Sequence, residues 1–195
     1  MDQRPIGVMA LAAVALGLFA TFLIPSGTDI ASFAVTGSHE ASPPRSSHSS
    51  GLLSWLHPVA ETATMLRDDL QMPGDLVPEV AASIHRHTHA TRIAPALVVA
   101  LIKVESGGDP RAVSPKQAVG LMQIHYPVWG KILGVSYEKL FDIDTNIRAG
   151  IHILNHYLQR HETLIAALAA YGGNPRSRRY PTKVLATFHQ LARES

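Results

Sequence analysis

Between Pro95 and Val104 the chain reads PALVVALIKV, and a helix drawn through it is apolar on every side except at Lys103. A helix without a polar face has to be surrounded, so this segment predicts a central core helix with the rest of its domain packed around it. The neighbouring segments read the same way. Pro78 can open a helix carrying Val80 and Ile84, and Ile147, Ile151, Leu154 and Leu158 form one stripe at helical spacing. Residues 164–171 are a further apolar run, and Val184, Leu185, Phe188 and Leu191 make a last stripe. Gly and Pro mark the joints and no segment alternates as a half-buried strand does, so the domain is expected to be mainly α. Residues 76–195 are enough chain to bury a core without help from a metal or a disulfide.

Chemistry is expected where this pattern breaks. Lys103 and Glu105 are the only charges in the core helix, and Glu105 falls in its last turn, directly before Ser106-Gly107-Gly108-Asp109-Pro110, which ends the helix. A carboxylate there faces the negative end of the helix macrodipole and emerges from apolar surroundings; both disfavour its charge and raise its pKa. A carboxyl group still protonated near neutral pH suits general-acid work. The residues alone also leave open a salt bridge to Lys103 or an Arg, or a solvated helix end.

Composition removes several function classes. A hydrophobic share of 46% excludes full disorder, and the absence of Cys excludes a disulfide framework, a thiolate zinc site and a cysteine nucleophile. There is no GxSxG elbow, P-loop or GxGxxG. The formal net charge of +2 is unevenly divided: residues 1–75 carry three Arg against seven acids, residues 76–195 fourteen Lys and Arg against eight. A basic second half points to an anionic partner. Without interleaved aromatics it fits nucleic acid poorly. Eleven His invite a metal, above all His85, His87 and His89 and the pair His152 and His156, but there is no HExxH and surface or packed His is the favoured reading. Arg176, Arg178 and Arg179 form a basic loop that is either solvated or turned to carboxylates, and Tyr126 and Trp129 either stack on a ligand or fill the core.

The front of the chain bears on location. Ile6 to Ile24 is apolar without a charge, long enough at ~1.5 Å per residue to cross a bilayer core, and Arg4 precedes it. We favour a retained anchor over residues 1–25 with its N-terminus in the cytoplasm. A cleaved signal peptide is the competing reading, with Ser32-Phe33-Ala34 as its cleavage pattern. Either places the remainder outside the cytoplasmic membrane, inner-membrane-anchored in a periplasm or exported. Residues 26–51 read as a Ser/Pro-rich tether, and residues 52–75 as an amphipathic helical segment with Leu52, Trp55, Leu56, Val59, Ala63, Leu66 and Leu70 at near-helical spacing. Met72-Pro73-Gly74 suggests a domain boundary near residue 75, with the functional domain at 76–195.

From Glu105 to Ile124 the chain reads ESGGDPRAVSPKQAVGLMQI, which closely resembles the signature of the soluble-lytic-transglycosylase (SLT) domain, a group similar to goose-type lysozyme. The matching residues are Glu105-Ser106, Pro110, Ser114 nine positions after the Glu, and Gly120-Leu121-Met122-Gln123. Two further blocks follow in order, DIDTNIRAG with Asn146 and Gly150, and ALAAYGGNP with Tyr171. The resemblance implies a lysozyme-like, α-rich fold and cleavage of the β-1,4 bond between N-acetylmuramic acid and N-acetylglucosamine of peptidoglycan, leaving a 1,6-anhydromuramic end. It implies that Glu105 is the single acid/base, that Ser114, Met122 and Gln123 line the sugar site, and that Tyr171 sits close to Glu105 and orients it. Asn146 and Gly150 are expected to support the fold. No cofactor or metal is implied. A lysozyme-type hydrolase using the same acid, and a non-catalytic peptidoglycan-binding module, are the alternatives. Wall turnover and a secretion or conjugation machinery both fit a tethered enzyme.

Common glycoside hydrolases flank the bond with two carboxylates. Here Asp109 is expected to fix its own turn, and Asp142 and Asp144 to cap the third helix. Two departures from the family pattern stand out. His125-Tyr126-Pro127-Val128-Trp129 is one residue longer than usual, and Gly172 replaces the Asn that normally follows the Tyr, with Asn174 two positions later.

Overall fold

The computed structural model describes residues 58–194. The segments expected at 1–25 and 26–51, and residues 52–57 of the amphipathic segment, lie outside them. No described helix is long and apolar enough to cross a membrane.

The first helix, α1, runs from residue 58 as an α-helix and ends in a π-helical turn, Met65–Asp69. It packs on its own domain: Met65, Leu66, Leu70 and Met72 belong to the same core as the later helices, and the Thr62 hydroxyl lies 2.8 Å from His85 Nε2. The core therefore runs straight through the boundary expected near residue 75. Met72-Pro73-Gly74 is a turn within one packed unit.

Helix α2 (Val77–Thr88) takes Pro78 in its first turn, and α3 (Pro95–Glu105) starts on Pro95 after an extended Ala94. As its sequence requires, α3 is enclosed, with Leu97 to Ile102 all buried and α1, α2 and α7 (Arg179–Glu194) packed around it. Helix α5 (Ile143–Leu158) lies against α2 and α6 (Leu164–Tyr171). Asp142 caps α5, accepting from Thr145 N at 2.9 Å, and Thr163 caps α6 in the same way. Asp144 corrects the expectation of a second cap. Its carboxylate accepts from Ser83 Oγ and His87 Nε2, each at 2.9 Å, and from Arg86, bracing α5 to α2.

Between α3 and α5 the chain forms what no sequence periodicity announces. A two-stranded antiparallel hairpin pairs Ala118 (β1, Ala118–Val119) with His125 (β2, Ile124–His125), and the short helix α4 (Tyr126–Leu133) follows at once. Strands of two residues are too short to alternate. Gly134, at φ 63°, ends α4 in the left-handed region. Gly130 leaves room for the Tyr126 ring, which a Cβ there would meet at 2.4 Å.

Candidate active site

The site is assembled at the C-terminal end of α3. Glu105 is the last residue of that helix and is 9% exposed. Behind it the chain turns sharply through Gly107 and Gly108, at φ 65° and 92°, where a side chain would be strained. Asp109 accepts from Arg111 N at 2.8 Å and so fixes the turn, as expected. Ser106 donates from its hydroxyl to Leu121 O at 2.8 Å, fastening the helix end to the returning hairpin loop.

That loop is held from beneath by two residues of α5. Asn146, fully buried, accepts from Met122 N at 2.9 Å and donates to Val119 O and Leu140 O at 2.9 and 2.7 Å. A Cβ on Gly120 would sit 2.2 Å from Asn146 Nδ2, so the close approach requires glycine there. A Cβ on Gly150 would meet Met122 Sδ at 2.3 Å. Both α5 residues thus support the fold as the sequence suggested, and each does so by placing the loop over Glu105's helix end.

The other residues singled out from sequence are placed as follows. Ser114 is 8% exposed and its Oγ accepts from Ala118 N and Lys116 N at 3.0 and 3.3 Å. Gln123 adopts φ 48° and donates through Nε2 to Ala112 O and Gly120 O, both at 3.1 Å. Met122 has no side-chain exposure; its thioether packs on Gly150, so it supports the loop from below and is not open to a ligand. Tyr171 donates from its hydroxyl to Met122 O at 2.9 Å, which anchors the loop and leaves Glu105 to another partner.

That partner is Tyr180, whose hydroxyl donates to Glu105 Oε1 at 2.5 Å. Sequence reading passed over it because it stands in an Arg-rich, Pro-flanked stretch. A signal was present: Tyr180 precedes Val184 by one helical turn, and Val184 belongs to the core-facing stripe of α7. The departure at Gly172 is connected to it. A Cβ at residue 172 would lie 2.6 Å from Tyr180 Cδ1, so glycine makes the room in which the ring reaches Glu105.

Burial pushes the Glu105 carboxyl up to about 7, against the opposing pull of the Tyr180 hydrogen bond and the Lys183 ammonium. Burial also raises the Tyr180 and Tyr171 phenols well above their ordinary value, and the charge of Glu105 adds to both, so both remain hydrogen-bond donors. The arrangement offers one carboxyl group poised to give up and take back a proton near neutral pH, with a neutral donor fixing one of its oxygens. Trp129 packs edge-on against His156 and Tyr157 at the rim of the core, and Arg176, Arg178 and Arg179 are exposed. Among the described residues no group of three His, Asp or Glu converges as a metal site would require.

Residues 82–183 match the family described as Transglycosylase SLT domain. A protein of Enterobacteria phage PRD1 described as "Transglycosylase" is 35% identical over 104 residues, which cover 50% of this chain and 38% of that protein. The chain thus corresponds to well under half of that relative's length.

Proposed function

The chain belongs to the transglycosylase SLT domain family, and we propose that it is a peptidoglycan lytic transglycosylase in which Glu105 is the single acid/base. The observation that carries this is Glu105 itself, buried at the end of α3, held near pKa 7 and bonded to Tyr180. In the first step the protonated carboxyl gives its proton to the glycosidic oxygen as the bond from C1 of N-acetylmuramic acid breaks. The substrate's 2-acetamido group stabilises the cation that develops. In the second step the Glu105 carboxylate accepts the proton of the sugar's 6-hydroxyl while O6 bonds to C1, and the acid is restored. No water enters, and the product ends in a 1,6-anhydro ring.

A one-carboxylate mechanism is supported by how the other acids are used. Asp109 is committed to its turn, Asp142 to a cap and Asp144 to the α2 brace. Ser114 accepts two backbone N–H groups and keeps its own proton to donate to a sugar oxygen. Gln123 Nε2 is engaged with the backbone, which leaves Oε1 to accept from substrate. Tyr171 and Met122 act from behind by fixing the loop. The apolar run at residues 6–24 would anchor the enzyme with this domain on the far side of the cytoplasmic membrane.

Mass spectrometry of fragments released from purified sacculi tests the reaction. Anhydro ends, one water lighter than hydrolytic ends and absent with Glu105→Gln, are expected. Hydrated ends would make the enzyme a lysozyme-type hydrolase. Binding without release by either protein would make it a wall-binding module.

A further inference from the structure

Helix α5 carries Arg148, His152 and His156, and Arg160 follows two residues past its end, so a basic residue type recurs every four positions. Residues at that spacing are neighbours on a helix, so Arg148, His152 and His156 form one row, and Arg160 reaches back to its last member. Arg148, His152 and Arg160 are exposed, and the Arg160 guanidinium donates to His156 Nδ1 at 3.0 Å. Among the described residues no ion pair with a carboxylate reaches any of the four. The permanent charges of the row are Arg148 and Arg160, because burial and the neighbouring Arg160 charge lower the His156 pKa and favour its neutral ring, whose Nδ1 accepts from Arg160.

Helix α4 lies along the same flank. Trp129 meets His156 and Tyr157 edge-on at 5.4 and 6.0 Å, and Leu133, one turn on, lines an open notch of about 160 Å³ together with Val135, Ala149, Arg148 and His152. Val128 and Ile132 each precede one of these seam residues by a single position and turn away from it, 43% and 66% exposed, with Lys131 exposed beside them. Two aliphatic side chains in water on one helix face, with the cations Lys131, Arg148 and Arg160 on the same flank, is the composition of a surface that lies on lipid.

We propose that this face of α4 and α5 docks on an anionic lipid bilayer, with Val128 and Ile132 entering the headgroup–acyl boundary and Lys131, Arg148 and Arg160 meeting lipid phosphates. Carboxylates of a wall polymer would pair with the cations equally well but offer no partner to the aliphatic pair; acyl chains do. An anchor at residues 6–24 would keep this surface within reach of a bilayer. The docking does not depend on the reaction proposed above.

The chain has no Cys, so Ile132→Cys carries a unique environment-sensitive thiol label, with Glu79→Cys on the exposed side of α2 as the reference. The full chain is mixed with vesicles of phosphatidylglycerol and phosphatidylcholine, or of phosphatidylcholine alone. A blue shift of the label at position 132 on the anionic vesicles only, with none at position 79, is expected. At about 1 kcal/mol per cation near the surface, Arg148→Gln with Arg160→Gln lowers the ratio of docked to free domain roughly thirty-fold. Salt of about 0.5 M reverses the shift at position 132 in the chain that keeps both arginines, a readout that needs no charge-deleted variant. No shift on anionic vesicles, or the same shift on neutral ones, overturns the proposal. So does a shift on isolated sacculi without one on vesicles, which would make the face a wall-polymer surface.

Discussion

Glu105 and Asp144 are both carboxylates at helix ends, and their surroundings drive them in opposite directions. Glu105 closes α3, where the helix macrodipole is negative, is nearly sealed from solvent, and accepts one hydrogen bond in the structure, from Tyr180. Asp144 opens α5, where the macrodipole is positive, and accepts from Ser83, Arg86 and His87 with 40% of its side chain in solvent. Burial pushes Asp144 up as it does Glu105, but the bonds from His87 and Ser83 and the charges of His87 and Arg86 outweigh it and hold the carboxyl below its ordinary value. Desolvation wins where donors are few and loses where they are several. The first outcome yields a proton donor and the second a brace between helices.

The largest effect should come from removing the acid. Glu105→Gln is expected to cut the rate of glycan release about 10²- to 10⁴-fold, the usual worth of a positioned general acid, with substrate binding retained in a sacculus sedimentation assay. Undiminished release would assign the acid elsewhere. The same variant should be more stable than the parent at high pH. A carboxyl whose pKa rises from 4.5 to about 7 on folding contributes its full stability below the lower value and loses it as pH rises through the upper. Unfolding at a series of pH values should therefore show the variants equal near pH 4 and Glu105→Gln ahead by about 3 kcal/mol above pH 8. A constant gap would contradict the burial of the charge.

Sharpening the contrast means taking away the donor that Glu105 has. Tyr180→Phe removes a bond that favours the carboxylate, so the pH–rate profile should move upward while the rate falls. Gly172→Ala should move the profile the same way more weakly, because its Cβ displaces the Tyr180 ring. A downward shift in either would mean that Tyr180 does not act on Glu105. The smallest effect belongs to the brace. Asp144→Asn should change stability by no more than about 1 kcal/mol, since Arg86 and Asp144 are 60% and 40% exposed, and should leave glycan release unchanged. A collapse of activity would show that the α2–α5 brace controls the geometry around Glu105.

What was legible beforehand follows from the scale of each signal. The enclosure of α3, the raised Glu105, the support from Asn146 and Gly150 and the Asp109 turn all rest on local pattern or on a motif of consecutive residues, and each is found in the structure. The hairpin has two residues per strand, and no periodicity can exist over that length. Tyr180 lies 75 residues from Glu105, and only the packing of α7 on α3 brings them together. Met122 stands in the motif beside Gln123, yet it lies in a turn, where no fixed period sets side-chain direction, and what decides its position is Gly150 of α5, 28 residues on. Asp144 reads as a cap in the sequence because caps are local; its partners on α2 are about sixty residues away in sequence.

Catalysis by Glu105 turns on one protonation state, which can be observed directly. A ¹³C NMR titration of chain labelled at the Glu side-chain carboxyls, with the resonance of Glu105 assigned by its loss in Glu105→Gln, should give one carboxyl with a midpoint of about 7. A midpoint near the ordinary ~4.3 of a solvated Glu would contradict the claim that burial keeps this carboxyl protonated for catalysis.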